Sequence, residues 1–574
     1  MKLDLKAVPF SRRGSYLALS WHEGEFNHRK LEKGLYLRTI RGAAKEPFVA
    51  RLLPLQNGNP AAFAAEAGPS AMRLTPETGA GEIEIVFADP STILIRGRGE
   101  GIGLCLDFMT GDGAYNFLQP VLSGDETWYL ANCFKNGSRF MCRNQRGIAR
   151  LEQAWHISGA DYGKLAAEAQ DGEFLLVLEE VRTDWANRHR QWDIEAEREK
   201  AEQEFQAFYQ SMPRVPSEFE EVREAASYVN WSSIVDKSGF LKRETMYMSK
   251  NWMCNVWSWD HCFNAIALAG HNPALAWEQF MVLFDHQTPA GRIPDSVNDS
   301  IVIDNYCKPP IHGWALHKMR QKMQLDRAML EEACDKLGKW TMWWLNYRDQ
   351  DGDGLCEYTH GNDSGWDNAT AFQLLPPVTL PDLAAFLVLQ MEELAELSRL
   401  LGREPEAKTW EARAKEMADK MLEKLFADNL PVGIQTVTGQ KITAQSLILY
   451  LPILLAKRLP EEVQQAMIRV LEGDTFLTAY GFATEAVKSE AYEADGYWRG
   501  PIWAPSTILI LDGLWACGRR DFVKDMARRF LKMVEKSGCA ENFDALTGEG
   551  LRDRAYTWTS SITLLLAEDY LLEN

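Results

Sequence analysis

Pro381-Asp-Leu-Ala-Ala-Phe-Leu-Val-Leu-Gln-Met-Glu-Glu-Leu-Ala-Glu-Leu-Ser-Arg-Leu-Leu-Gly402 is the stretch that decides the fold class. Leu383, Phe386, Leu387, Met391, Leu394 and Leu397 recur with a 3.6-residue period, so they share one stripe of a helix. Pro381 lacks an N–H where the first turn leaves one unused, and Asp382 suits the positive helix end. Gly402 is the natural stop after the last turn. The same period runs outward from Ser217 to the end of the chain, near 218–236, 260–270, 273–287, 312–323, 327–347, 381–401, 405–426, 443–457, 459–472, 502–517, 520–537 and 558–572. No sequence repeat is visible, which argues against a solenoid. Six helical hairpins closing into a ring, an (α/α)6 barrel, would use all twelve helices and leave one funnel-shaped end. A twelve-helix bundle without a ring is the alternative that periodicity leaves open.

Upstream the period changes to two. Gly81-Glu-Ile-Glu-Ile-Val-Phe alternates polar and apolar residues, as do parts of 15–20, 34–40 and 147–156, and 173–181 is the last clear strand. Turn residues punctuate them at Asn57-Gly-Asn-Pro, Ala88-Asp-Pro, Gly111-Asp-Gly and Asn136-Gly. An antiparallel β-sandwich over 1–190 is expected. The charged segment 194–211, ended by Pro213 and Pro216, reads as a helical linker over 191–216, with the barrel filling 217–574.

The 574 residues hold 62 Lys+Arg against 81 Asp+Glu, a formal charge of −19. That excludes a basic footprint for nucleic acid or an anionic membrane surface. No apolar run approaches the ~20 residues that span a bilayer, and the opening has no signal-peptide core. Ten cysteines form no CxxC pair and no zinc spacing, so a reduced, cytoplasmic protein is expected. The 20 tryptophans stand out, because indole gives a flat apolar wall against the C–H faces of a sugar. A large core is the plainer explanation.

Long connections between the helices, at 237–259, 288–311, 348–380, 473–501 and 538–557, are rich in Trp, Gly, Asp and Arg rather than in the residues of disorder. Asp367 lies in Asn362-Asp-Ser-Gly-Trp-Asp-Asn-Ala, where a neighbouring Trp could desolvate a carboxyl and raise its pKa toward that of a general acid. Glu541 lies far downstream in Glu541-Asn-Phe-Asp-Ala-Leu-Thr-Gly-Glu-Gly. Two carboxyls on different loops are the minimum equipment for glycoside hydrolysis. Taken singly, an Asp in such a loop is more often a turn former or cap, and the pair alone is a weak signal.

Trp257-Ser-Trp-Asp-His-Cys-Phe, Ser364-Gly-Trp-Asp-Asn, Gly496-Tyr-Trp-Arg-Gly-Pro-Ile-Trp and Glu541-Asn-Phe-Asp-x-x-Thr-Gly, in that order, resemble the signature segments of glycoside hydrolase family 63. The resemblance spans roughly 217–574, and related pieces occur in the trehalases. It implies an inverting hydrolase of an α-glycosidic bond with Asp367 as general acid and Glu541 as general base, and Glu549 as the rival base. It further implies sugar-binding roles for Trp259, Asp260, Trp366, Tyr497, Trp498, Arg499 and Gly500. Trp503 and Trp558 are further wall candidates. Arg292-Ile-Pro-Asp295 and Lys308-Pro-Pro depart from the trehalase pattern, which has Asn and Gln at those places. An α-glucosidase acting on a short oligosaccharide or small glucoside is the expected activity. A trehalase, a glucosylglycerate or mannosylglycerate hydrolase, and a non-catalytic carbohydrate-binding barrel are the alternatives.

Asp349-Gln-Asp-Gly-Asp-Gly-Leu-Cys-Glu has Asp at positions 1, 3 and 5, Gly at 6 and Glu at 9, most of a calcium loop. Asp349, Asp351, Asp353, the Leu355 carbonyl and Glu357 are the expected ligands. His360 stands at position 12, so the loop is not an EF-hand. Some bacterial members of the resembled family carry a loop of this shape, and a solvated acidic turn is the alternative. Calcium would brace the segment leading to Asp367, and no cofactor is expected for the chemistry. Gly97-x-Gly-x-Gly-x-Gly103 lacks dinucleotide spacing, and neither a P-loop nor a Gly-x-Ser-x-Gly elbow occurs.

Overall fold

The computed structural model describes residues 1–26, 29–77, 81–108, 115–186 and 190–572. The expected turn at Gly111-Asp-Gly lies outside them. Contacts divide the chain into two compact units: 1–210 with 227–238 and 249–254, and 211–226 with 239–248 and 255–574.

The first unit is built on two antiparallel sheets. One runs in the order Leu17–Phe26, Arg29–Thr39, Phe48–Gln56, Ile102–Phe108, Gly159–Glu168, Ile148–His156, with Asn59–Pro60 added on Phe48–Gln56. The other runs Phe117–Ser123, Glu126–Cys133, Ser138–Arg146, Glu173–Glu180, Thr92–Arg98, Glu82–Asp89, Met72–Pro76, Phe63–Ala67. The alternation in Glu82–Asp89 does not become a half-exposed strand, because helix Ile194–Gln210 packs against it. Ile194 joins Val86, Ala88, Leu94, Leu175 and Val177 in one apolar cluster. Glu84, buried beneath that helix, is satisfied by Arg96 and by Arg198 at 2.7 Å. The helix expected as a linker is therefore part of the first unit.

The second unit is helical. Among the described residues, eleven α-helices and one 3-10 segment occupy the twelve stretches of helical period. The segment near 443–457 is the exception in kind. Pro452 has no N–H for an α-helical bond, and Leu447–Arg458 winds as 3-10 with a break at Ala456.

Packing partners establish the ring. Ser258–Ala269 packs on His312–Lys322, which packs on Pro381–Leu400, then in turn Leu447–Arg458, Ala504–Ala516 and Thr557–Tyr570, and the last returns to Ser258–Ala269. Every residue of Ser258–Ala269 is buried. Polar groups in these inner helices bond one another, as Asn264 does with Ser561 at 2.8 Å and Thr557 at 3.2 Å. Arg520–Ser537, an outer helix, buries only a stripe that includes Val523, Met526, Ala527, Phe530, Leu531 and Val534. This is the (α/α)6 barrel.

Turns of two to four residues at 270–272, 323–326, 401–403, 459–460 and 517–519 join the inner and outer helices of five hairpins at one barrel end. The long loops lead into the N-termini of inner helices, at the opposite end. All residues singled out for chemistry lie on those loops or the first turns after them.

Candidate active site

Asp260 sits in the first turn of helix Ser258–Ala269 and is buried. Its carboxylate accepts its own backbone N–H, while Oδ2 is buried without a hydrogen-bond partner. Burial pushes this carboxyl up to about 8, with Asp295 and Asp367 adding to the rise and Lys308 opposing it.

Asp367 is carried by the loop 360–368, which is anchored from below. Fully buried Asp363 accepts the Cys307 N–H at 3.2 Å, the Thr359 hydroxyl at 2.7 Å and an Arg348 N–H at 3.2 Å. Gly365, at φ 76°, lies against Trp259, and any Cβ there would come 2.5 Å from the indole. The Asp367 side chain keeps 39% of its surface open to solvent. Its surroundings are nonetheless deep enough for burial to hold its carboxyl above the usual range, with Asp295 adding and Lys308 and His360 opposing. A carboxyl that is both partly desolvated and accessible is what proton donation to a bound substrate requires.

Glu541 precedes a short hairpin, Asn542–Phe543 paired with Gly550–Leu551, and its N–H bonds the Asp553 carbonyl at 2.7 Å. Only 5% of the residue is exposed. Burial pushes its carboxyl up to about 7; Asp553 and Asp367 add to the rise, while Arg552 and a hydrogen bond from Tyr497 oppose it. Glu549, the rival, is exposed and pairs with Lys536 at 2.6 Å.

Tyr497 takes the left-handed backbone at φ 63°, a strained conformation for a non-glycine residue. Its carbonyl accepts the Trp503 indole N–H at 2.8 Å. Burial and the charges of Glu541, Asp367 and Asp260 push its hydroxyl well up, so it stays a hydrogen-bond donor. Trp498 stacks on Trp503 at 4.0 Å and 6°, and Trp366 lies 4.6 Å from Trp498. Trp259 and Trp558 complete the cluster, their rings 5.8 Å apart. All five indoles are at most 3% exposed, so much of their surface is used on one another. Gly500 allows a close passage: a Cβ there would lie 2.0 Å from the Glu493 carbonyl oxygen. Arg499 pairs with Glu493 at 2.7 Å.

The structure thus brings Tyr497 within range of the charges of Asp260, Asp367 and Glu541, and Asp367 within range of Asp260 and Glu541. Sequence reading does not single out Arg552, Asp553, Tyr556 or Asn368, nor the pairing of Asp295 with Lys308. The hairpin after Glu541 returns Arg552 and Asp553 to it, and no local pattern signals that. The departures at Lys308 and Asp295 are visible in the sequence, but their meaning depends on a 3.1 Å contact that is not.

In the acidic loop, oxygens of Asp349, Asp351 and Asp353 lie within 4.8 Å of one another. Gly352 and Gly354 have positive φ. Asp349 Oδ1 and Glu357 Oε2 are buried without a hydrogen-bond partner, and burial pushes Glu357 up to about 7. Lys424 pairs with Asp353 at 2.8 Å. A set of hard carboxylate oxygens with orphaned buried members fits calcium.

The sequence model of the mannosylglycerate hydrolase MGH1-like glycoside hydrolase domain matches residues 253–559. The mannosylglycerate hydrolase of Rubrobacter radiotolerans is 23% identical over 399 residues, 54% of this chain and 89% of that protein. The glucosylglycerate hydrolase of Mycolicibacterium hassiacum is 22% identical over 410 residues, 54% of this chain and 91% of that one. The GH63 mannosylglycerate hydrolase of Thermus thermophilus, solved with Tris and D-glycerate, superposes with a TM-score of 0.53 at 19% identity, covering 60% of this chain and 99% of that one. A bacterial glucoamylase complexed with acarbose superposes with a TM-score of 0.63 at 11% identity, over 99% of this chain and 94% of that one. The two structural likenesses concern the fold.

Proposed function

The chain belongs to the mannosylglycerate hydrolase MGH1-like glycoside hydrolases of family 63, and from that membership we propose that it hydrolyses an α-glycosidic bond with inversion, Asp367 acting as general acid and Glu541 as general base. The observation that carries this reading is the pair of desolvated carboxyls on separate loops, both held above their usual range, with the charge of Asp367 adding to the rise at Glu541. Asp367, accessible and above its usual range, protonates the departing oxygen. Glu541, held by Tyr497, takes the proton of the attacking water. Inversion requires that water to fit between sugar and base.

Asp260 supplies the sugar contact, since its buried Oδ2 has no hydrogen-bond partner within the chain and is left for a sugar hydroxyl. Trp259, Trp366, Trp498 and Gly500 shape the same wall, and Arg499 steadies its loop through Glu493. A short α-glucoside is the proposed substrate. Glucosylglycerate and mannosylglycerate form the second reading, favoured by the activities named for the relatives. Calcium, held by Asp349, Asp351, Asp353 and Glu357 with the Leu355 carbonyl, would supply structural cross-linking of the loop and no chemistry. The ten free cysteines, nine of them buried, support a reducing, cytoplasmic setting.

The experiment is Asp367→Asn and Glu541→Gln on α-linked glucobioses, trehalose, glucosylglycerate, mannosylglycerate and aryl α-glucosides, with anomers resolved by NMR. Both variants should lose at least ~10² in turnover on alkyl glycosides, with the β-anomer released first by the parent. Asp367→Asn should lose less on aryl glycosides, whose leaving group needs no proton. Near-parental turnover by either folded variant removes the assignment.

A further inference from the structure

Lys308 is 5% exposed, and its ammonium has three protons. Three acceptors surround it: Asp295 Oδ1 at 3.1 Å, the Asn362 carbonyl at 2.9 Å and the Asn362 side-chain oxygen. Asn362 Nδ2 closes the triangle onto Asp295 Oδ1 at 3.2 Å. Asp367 Oδ1 stands outside this set at 4.0 Å. Two hydrogen bonds tie Lys308 to Asn362, and its charge is paired with Asp295. These contacts fix its location: it joins the segment before Ser296 to the loop that carries Asp367.

We infer that Lys308 is a positioning residue, pinned by Asp295 and Asn362 so that it fixes the Asp367 loop and keeps a positive charge beside that carboxyl. The groups facing Asp367 are Lys308, Asp295 and His360, with Asp260, Tyr497 and Glu541 across the site. Burial and Asp295 favour a protonated Asp367. Lys308 and His360 oppose them, and Lys308 is the one locked in place from two sides. Without it the carboxyl would hold its proton more firmly. The buried ion pair thereby acts on the acid's strength beside burial, the larger cause.

The inference rests on Asp367 being the acid, so the test carries Asp367→Asn beside Lys308→Gln, Lys308→Arg and Asp295→Asn. The readout is the pH profile of kcat/KM on the best alkyl α-glycoside of the panel, with thermal melts to verify folding. Lys308→Gln keeps donors for Asn362 and loses the charge. It should move the limb governed by Asp367 to higher pH by about 1 unit and lower kcat about tenfold. Asp295→Asn should move the same limb to lower pH, and Lys308→Arg should leave it near the parent. Opposite displacements cannot come from a general loosening of the fold. If Asp367→Asn is inactive while Lys308→Gln and Asp295→Asn leave the limb in place or move it in one direction, the inference about Lys308 falls alone. If Asp367→Asn stays active, the acid assignment falls and takes this inference with it. Should Lys308→Gln not fold, Asp295→Asn decides by the direction of its displacement.

Discussion

Asn368 and Trp498 hold two catalytic-end loops together: the Trp498 backbone N–H donates to Asn368 Oδ1 at 2.9 Å, and Asn368 Nδ2 donates to the Gly496 carbonyl at 3.0 Å. One side chain next to Asp367 thus sets the height of the loop that carries Tyr497, and Tyr497 bonds Glu541. Asp367 and Glu541, the proposed acid and base, are registered to each other through this link. Asn368→Ala removes both bonds. Turnover should fall about 10- to 100-fold, because misplacement of either carboxyl is costly, while stability should fall by only about 1 to 2 kcal/mol. Equal loss of both in melts and kinetics would count against a registering role.

Gly365→Ala should be far more damaging than its size suggests. The added methyl must occupy space 2.5 Å from Trp259 in a left-handed backbone conformation. Either the indole cluster moves or the Asp367 loop lifts. A loss of about 2 to 4 kcal/mol is expected from the strain and overpacking, measured by denaturant unfolding. A variant within about 0.5 kcal/mol of the parent would show that the contact is soft.

Four buried carboxyls give the protein a pH-dependent stability. Asp260 is pushed up to about 8, and Glu541, Glu357 and Asp382 each to about 7, in every case chiefly by burial. Their ordinary values are 3.8 for Asp and 4.5 for Glu. Between those limits the folded chain keeps protons that the unfolded chain has released. Stability from these groups is therefore complete below about pH 4 and is lost as pH rises toward 8. The melting temperature without ligand should decline from about pH 5 to about pH 8. Asp260→Asn should flatten the upper part of that decline and stabilise the protein at about pH 8 by about 1 to 3 kcal/mol. The same change should abolish most activity. A flat profile, or an Asp260→Asn variant less stable than the parent at the alkaline end, would contradict this account.

Calcium provides the fourth test. An ion that binds only the folded chain stabilises by about 2.7 kcal/mol at a hundredfold excess over its dissociation constant. Calcium chloride should raise the melting temperature by several degrees, with magnesium having much less effect, and Asp349→Asn should remove the response. Turnover with saturating substrate should hardly change, because the loop braces and does not react. No thermal response to millimolar calcium would leave Asp349, Asp351 and Asp353 as a solvated acidic turn.

Much of the fold is legible because helical burial is a local, periodic property. Leu383 to Leu397 declare their stripe within a few turns, and the strands of the first unit declare theirs by alternation. Ring closure is not local, and only the return of Thr557–Tyr570 to Ser258–Ala269 establishes it. Helix Ile194–Gln210 reads as a linker by its charges, yet Ile194 joins the apolar cluster of Val86, Ala88, Leu94, Leu175 and Val177 in the first unit. A polar majority masks a narrow apolar face.

The sequence by itself determined the helix count, the change from strands to helices near residue 190 and the motif segments in which Asp260, Asp367, Tyr497 and Glu541 stand. Each of these depends on neighbours along the chain. Tertiary structure alone decided that the four share one electrostatic environment, that Asp553 lies beside Glu541 and that Lys308 is clamped by Asp295 and Asn362 next to Asp367. Proton affinity depends on desolvation and on charges brought from distant positions, and a carboxyl's place in the chain does not encode them.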